Sequence, residues 1–350
     1  MTGHFSAAGR MRWGWFLLLA LLLLLLPLVT NTHTPTLLAI WALFALSLGL
    51  LWGYAGILSF GHAAYFGLGA YTYAITAMNT GESTGALILA VLLPALVGAL
   101  IGAMMFYGRI SDVYMGVITL VFALILNKFM SATAGDAYRI GEARLGGFNG
   151  IPAFPILNVP GDPSTQIFGT GLYYVVVVAL LGCYLVARWV LSSAFGRTLI
   201  GIRENEARVE LLGYNAPLLK TAIFSLTAAM AGLAGCLFAT WAEIVTPSLF
   251  GLGLSVEVII WVIAGGLGTL VGPVLGALLL GALKLLLGEQ TVIDNSLVLG
   301  AILVFVVLAL PRGLVPTIAG WWRRREGARA GRAASGGTRR RRGMGAGEPR

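Results

Sequence analysis

The sequence predicts an all-α polytopic membrane protein of about ten spans, within a range of eight to ten, and three observations carry that expectation. Of its 350 residues 58% are hydrophobic and only 11% are charged, against about 25% charge in a soluble domain. So few charges cannot cover the surface of a soluble protein of this length. The apolar stretches are continuous rather than alternating, which selects helices over a closed barrel, the two structures that satisfy every backbone polar group inside a bilayer. Finally, the basic and acidic residues separate onto opposite sides of the layout, as the positive-inside rule requires.

The spans fall at about 13–30, 36–54, 58–78, 86–107, 112–131, 171–191, 218–241, 255–267, 271–288 and 295–311. Arg10 and Arg12 precede a Leu run ending at Leu26, which resembles a signal peptide. Pro27-Leu-Val-Thr-Asn follows it without a clean small-x-small cleavage site, so the stretch is read as an uncleaved first span behind a cytoplasmic N-terminus, 1–12. Ten spans return both termini to the inside. Arg109, Arg197, Arg203 and Arg208 then lie inside, and Glu82, Glu243, Glu289 and Asp294 lie outside. The transmembrane domain covers 13–322 and has an external loop at 132–170. That loop is slightly acidic and carries the turn-rich run Gly146-Gly-Phe-Asn-Gly150-Ile-Pro152, so it is expected to be structured or re-entrant.

Residues 323–350 carry ten Arg and two Glu, so +8 of the chain's net +9 sits in the tail. Such a tail reads as a disordered cytoplasmic end beside anionic lipid. It has no aromatic interleaving and follows a membrane core, which excludes a nucleic-acid role. Cys183 and Cys236 lie singly in apolar segments and only three His occur, so neither a metal site nor a disulfide framework is expected.

Two apolar segments are interrupted by glycine, at corresponding places in two pseudo-repeated halves. The first runs Leu58-Ser-Phe-Gly-His-Ala-Ala-Tyr-Phe-Gly-Leu-Gly-Ala-Tyr71, and the second Ala264-Gly-Gly-Leu-Gly-Thr-Leu-Val-Gly-Pro-Val-Leu-Gly276. Paired broken helices point to a transporter's pathway, because irregular backbone at membrane depth must be buried in protein or line an aqueous route. Ser59, Gly61, His62, Gly67, Gly69 and Tyr71 are therefore pathway candidates, as are Gly265, Gly266, Gly268, Thr269, Gly272 and Pro273. Close helix packing is the competing reading of the glycines. Ser59 and His62 are expected to share a helical face. A hydrolase based on them lacks a GxSxG elbow and an acidic partner nearby, and His62 reads better as a hydrogen-bonded packing residue.

The second glycine run is not a phosphate loop, which would need Lys after the last Gly. The three lysines, Lys128, Lys220 and Lys284, all stand elsewhere. The chain thus has no recognisable ATP site, and any ATP is hydrolysed on another subunit. Lys128, Lys284 and Glu257 are read as lying near span ends, where long side chains can snorkel. No series of Asp, Glu or His crosses the membrane as a proton relay would. The inside loop 192–217 holds Arg203-Glu-Asn-Glu206-Ala-Arg-Val-Glu-Leu-Leu-Gly213 and reads as a short amphipathic helix, ended by Gly213 and followed by Pro217. It would lie on the membrane surface or dock a soluble partner.

The run Trp52 to Tyr71, the loop Gly196 to Lys220 with Leu226 to Leu237, the Gly265–Gly276 run and Leu310-Pro-Arg-Gly-Leu-Val315 resemble, in order, the LivM-type permeases of branched-chain amino acid ABC importers, over about 37–316. The resemblance implies a non-enzymatic permease subunit of the bacterial inner membrane. Its partners would be a second, LivH-like permease, two cytoplasmic ABC ATPases and a periplasmic substrate-binding protein. It places the ATPase-coupling loop on Arg203, Glu204, Asn205, Glu206, Ala207 and Gly213. The match to the importers' EAA motif is loose, since Arg208 follows Glu206-Ala207 and Gly213 lies seven rather than six residues after Glu206. Branched-chain amino acids are the favoured substrate, and urea or short-chain amides the alternative. A stand-alone channel or ion-coupled carrier is the minor reading.

Overall fold

The computed structural model describes residues 24–28, 31–135, 137–288 and 313–317. The span expected at 13–30 lies outside the described residues except for 24–28; that at 295–311 and the basic tail lie wholly outside them. The helices are α1 (His33–Leu50), which runs into a π-turn at Leu51–Ala55, α2 (Ala63–Thr80), α3 (Ser83–Tyr107), α4 (Asp112–Ala132), α5 (Thr170–Ser192), α6 (Ala194–Leu211), α7 (Ala216–Ala242), α8 (Leu252–Gly265) and α9 (Val271–Gly288). Among the described residues five stretches are long and apolar enough to cross a bilayer, namely α1 with its π-turn, α3, α4, α5 and α7, while α8 and α9 are shorter apolar helices. The protein is a polytopic helical membrane protein.

Its core is built around α1, which is apolar all round and almost wholly buried between α5, α7, α8 and α9, as expected of a helix with no solvent face. α3 shows the opposite arrangement. Ala86, Ala90, Pro94, Gly98 and Gly102 recur at four-residue spacing and are buried against α7. The matching outward stripe, Leu92, Leu96, Leu100 and Met104, is exposed. Small residues let helix backbones approach, and a Leu stripe is stable only against hydrocarbon or another membrane subunit.

At one end of the bundle His33 stacks on Trp241 at 4.6 Å, and its carbonyl accepts a hydrogen bond from the Trp241 indole at 3.0 Å. The segment between α4 and α5 closes this end. It forms β1 (Arg139–Ile140), β2 (Ala143–Arg144), β3 (Ile151–Pro152), β4 (Asn158–Val159) and β5 (Asp162–Gln166). β3 pairs antiparallel with β6 (Ile244–Val245), after α7, in the register Ile151↔Val245. Gly146, Gly147 and Gly150 all take positive φ (+69°, +56° and +75°), so the glycines of the expected turn run are required by its backbone. Ser83 and Asn158 join α3 to this layer by hydrogen bonds, and Tyr73 donates to the Pro155 carbonyl at 3.1 Å. The loop is structured, as its composition suggests. The hydroxyls of Ser164 and Thr165 donate to the Asp162 carboxylate, at 2.6 and 2.7 Å, and hold its pKa below the usual value.

Three expectations need correction. The stretch 58–78 is broken before Ala63, not at its glycines 67 and 69. Gly56 (φ +77°) ends the π-turn, residues 57–59 have no regular structure, 60–62 form a turn, and α2 begins only at Ala63. Ser59 and His62 therefore do not share a helical face. The helix expected within 192–217 spans Ala194–Leu211 and is not continuous but broken at Asn205 (φ −162°, ψ 97°). The Asn205 side chain accepts from the Arg208 N–H at 3.0 Å, so it caps the second half as an N-cap would. Lastly, Glu257 and Lys284 are not isolated snorkelling charges: they pair with each other, Nζ to Oε1 at 2.6 Å, between α8 and α9.

Candidate functional site

The π-turn that precedes the first glycine-interrupted segment and the second such segment, far apart in sequence, come together at the end of the bundle that carries α6. A Cβ on Gly53 would stand 3.0 Å from the Gly268 amide, and one on Gly49 would strike the Pro273 ring. The π-turn after α1 thus lies directly on the turn between α8 and α9. That turn is built from Gly266 (φ +112°) and Gly268 (φ +78°). Thr269 closes it: its Oγ1 donates to the Gly266 carbonyl at 3.0 Å and accepts from the Gly272 N–H at 3.1 Å. Pro273 falls in the first turn of α9, where its missing N–H costs nothing. Gly265 and Gly276 bring α8 and α9 into contact, since a Cβ on either would collide with backbone of the other helix.

In the first segment, Gly61 rests on the Thr119 carbonyl of α4, Gly67 on the Phe250 ring and Gly69 on the Gly232 backbone of α7. Each of these three is a point of close approach, which favours the packing reading at these positions. His62 is buried; its Nε2 lies 2.8 Å from Ser47 Oγ and its ring stacks on Phe44 at 5.5 Å, the hydrogen-bonded packing role expected of it. Ser59 is buried as well. Ser59 Oγ, His62 Nδ1 and the hydroxyls of Tyr65 and Tyr71 have no hydrogen-bond partner among the described residues. Four such atoms within thirteen residues are unusual for an apolar bundle, because an unsatisfied buried polar group costs about 1–3 kcal/mol. Tyr71 also borders a cavity of about 400 Å³ between α2, α3, α4 and the loop layer, lined by Leu68, Leu126, Phe129, Tyr138 and Phe250 among others.

α6 crosses the same end. Its first half is capped by the Ser193 side chain, which accepts from the Gly196 N–H. Arg203, near the break, is exposed overall but donates from Nη1 to the Gly53 carbonyl at 2.5 Å. The second half is held to α7 by Glu206, whose carboxylate meets Lys220 Nζ at 2.5 Å; that ammonium also lies 5.7 Å from the centre of the Phe106 ring. Ile202 and Val209 form a small apolar cluster with Ala216 and Leu219. Glu204, Asn205, Ala207 and Arg208 face outward. Gly213 (φ +88°) ends the helix in the left-handed conformation that glycine adopts without strain. Beside it Leu211 and Leu212 are 88% and 76% exposed, and Tyr214 and Leu218 are exposed too.

The partners of these residues are not legible in the sequence. Arg203–Gly53, Glu206–Lys220 and Glu257–Lys284 were the three contacts to find. The scarcity of lysine and glutamate in and beside the spans was the available signal for the last two. Nothing in the sequence marks the carbonyl of Gly53.

Residues 33–308 match the family described as branched-chain amino acid transport system / permease component. The high-affinity branched-chain amino acid transport system permease protein LivM of Escherichia coli K12 is 28% identical over 300 residues, covering 80% of this chain and 69% of that protein. LivM of Salmonella typhimurium LT2 matches to the same extent. The autoinducer 2 import system permease protein LsrC of Salmonella paratyphi B is 32% identical over 133 residues, which is 36% of this chain and 34% of LsrC. No solved structure matches the chain. A family match that begins at the first residue of α1 and extends through α9, with LivM similarity over 80% of the chain, leads to one conclusion: the chain belongs to the branched-chain amino acid transport system permease family, as a LivM-type permease subunit of an ABC importer.

Proposed function

We propose that this subunit carries branched-chain amino acids inward across the inner membrane, paired with a second, LivH-like permease and supplied by a periplasmic binding protein. ATP is hydrolysed on two cytoplasmic ATPase subunits rather than on this chain. The observation that carries the reading is the family match over 33–308. Its similarity to LivM extends over 80% of the chain, against 36% for LsrC. The decisive experiment reconstitutes the importer with its binding protein and compares uptake of leucine, isoleucine and valine with that of urea and acetamide. Uptake of the amide set alone would overturn the assignment.

In this reading ten spans place both termini and α6 in the cytoplasm, in two pseudo-repeated halves each containing one glycine break, and the Arg-rich tail lies beside anionic lipid. The pathway runs along the broken segments, past Ser59, His62 and Tyr71 on one side and the Gly265–Pro273 turn on the other. The unpaired buried polar atoms on the first segment support this, because hydration or substrate would satisfy them during the cycle. The ATPase docks on the second half of α6, through Glu204, Asn205, Glu206, Ala207 and Gly213 and the exposed Leu211–Leu212 pair. A large exposed apolar pair at the polar end of a membrane subunit is the mark of a protein interface. Leu211→Asp is expected to reduce ATPase co-purification with the permease at least tenfold, which is about 1.4 kcal/mol, while leaving permease yield in the membrane unchanged. Retention of the ATPase at the normal level would remove α6 from the docking site.

A further inference from the structure

We infer that Arg203 is the positioning residue that transmits movement of α6 to both broken segments, by holding the carbonyl that the π-turn releases. Gly53 lies in the π-turn. In a continuous α-helix its carbonyl would accept from the amide of residue 57, but the chain leaves the helix at Gly56, where φ is +77°. A buried carbonyl left without a donor is costly, and Arg203 Nη1 takes it at 2.5 Å. The guanidinium is a charged donor, the stronger class of such bonds, and its stem lies against the break itself. A Cβ on Gly56 would be 3.0 Å from Arg203 Cγ. The other side of Gly53 faces the Gly268 amide, again at 3.0 Å from an added Cβ. One side chain of α6 therefore touches the turn that begins the first broken segment, and that turn rests on the second.

The break in α6 at Asn205 gives this contact its meaning. The second half, from Glu206, is tied to α7 by Lys220 and carries the exposed Leu211 and Leu212. The first half ends on Arg203. Force applied to the second half enters the bundle through Glu206–Lys220 to α7, through the Glu210–Arg109 pair just beyond α3, and through the break and Arg203 to the π-turn. The α7 route meets the first glycine segment at Gly232, against Gly69, whereas Arg203 bonds directly to the π-turn that rests on the Gly268 turn. Arginine suits the position because its rigid planar fork loses little freedom on bonding and remains charged.

The inference rests on the reading of α6 as the ATPase-docking helix, and the test separates the two. The whole importer is reconstituted in liposomes, and the number of substrate molecules moved per ATP hydrolysed is measured for Arg203→Gln, Arg203→Met and Arg203→Lys. The expected result is a ratio about tenfold lower in the Gln and Met variants, a coupling loss of ordinary size, with substantial rescue by Lys, which can still donate to the carbonyl. An unchanged ratio overturns the inference, as does an equal fall of transport and hydrolysis that leaves the ratio constant. Should the neutral variants fail to assemble, hydrogen exchange on the unaltered importer decides. Nucleotide binding that alters protection of 51–56 together with 194–204 supports the link, and a change in α6 that leaves 51–56 unaffected overturns it. Failure of the docking reading shows separately, as normal ATPase retention in Leu211→Asp, which leaves Arg203 untouched.

Discussion

Gly69→Val is expected to prevent recovery of folded permease from the membrane, whereas Gly182→Ala is expected to stabilise it slightly. A Cβ at position 69 would stand 2.5 Å from Gly232 Cα and 2.6 Å from its carbonyl carbon, with the carbonyl oxygen nearer still. The obstacle is backbone, so no rotamer change relieves it and α2 must move away from α7. That crossing is tight from both sides. A Cβ on Gly235 would collide with the Phe66 carbonyl, and one on Gly232 would stand 2.6 Å from the Ala90 carbonyl oxygen and 2.9 Å from Pro94 Cβ. Three helices, α2, α3 and α7, thus meet at glycines, and widening one contact opens the others. Overpacking of a close-packed site costs typically 1–3 kcal/mol and sometimes more. With two helices forced apart we expect at least about 3 kcal/mol, a large part of the 5–15 kcal/mol available to a typical fold. Gly182 is the contrast: it is helical, exposed, and has nothing within 4 Å of an added Cβ. Alanine there should gain about 0.5–1 kcal/mol, the ordinary difference between the two residues in a helix. Thermal unfolding of detergent-purified protein, with permease yield per cell, measures both. A folded Gly69→Val protein of normal stability would show that the first glycine segment is not held by packing.

The contrast also shows which parts of the molecule the sequence discloses. Continuous apolar runs located α3, α4, α5 and α7 within a few residues, because a helix in hydrocarbon must carry its hydrophobicity along its whole length. The same rule failed at 58–78. Hydropathy does not distinguish an apolar helix from an apolar extended segment, and the deciding feature was one backbone angle, at Gly56. The polar run from Arg203 to Glu210 announced an amphipathic helix, and Gly213 announced its end, since both rest on local chemistry. The break at Asn205 was hidden: Asn is tolerated within a helix and also suits a cap, and only the fold chooses. The glycine runs were recognisable as special, but not for which purpose. Gly67 and Gly69 prove to be contact points of α2 with Phe250 and with α7, while Gly266 and Gly268 shape a turn. The contacts Arg203–Gly53 and Gly53–Gly268 join residues more than a hundred positions apart, and no local pattern encodes such a pairing.

Glu257 and Lys284 were the charges hardest to place from sequence, and their pairing leads to the second large effect. Glu257→Ala alone is expected to cost about 2–4 kcal/mol, near the 3–5 kcal/mol measured when one partner of a buried pair is removed, while Glu257→Leu combined with Lys284→Leu should recover most of that loss. The two side chains are 30% and 33% exposed, but their surroundings are apolar helices, not a soluble protein's surface, and a lone ammonium there has no water to replace its partner. Lys284 Nζ lies 2.6 Å from the carboxylate and 5.3 Å from the centre of the Trp41 ring. Trp41 in turn packs against Trp261 at 5.3 Å. The ammonium therefore joins α9 to α8 through a carboxylate and to α1 through an aromatic face, a contact worth about 0.5–2 kcal/mol. Removing the carboxylate leaves the ammonium with the weaker partner only. Removing both charges takes away the desolvation cost together with the attraction, and two leucines fill the space between apolar helices. The singles and the double, measured as unfolding midpoints in one detergent, form a cycle whose coupling energy should reach about 2–3 kcal/mol, the upper part of the range for residues in contact. Purely additive losses would mean that the two charges are satisfied independently of each other. A double variant that is stable yet transports poorly would mean instead that the pair serves the transport cycle rather than the fold, since its leucines restore packing but not charge.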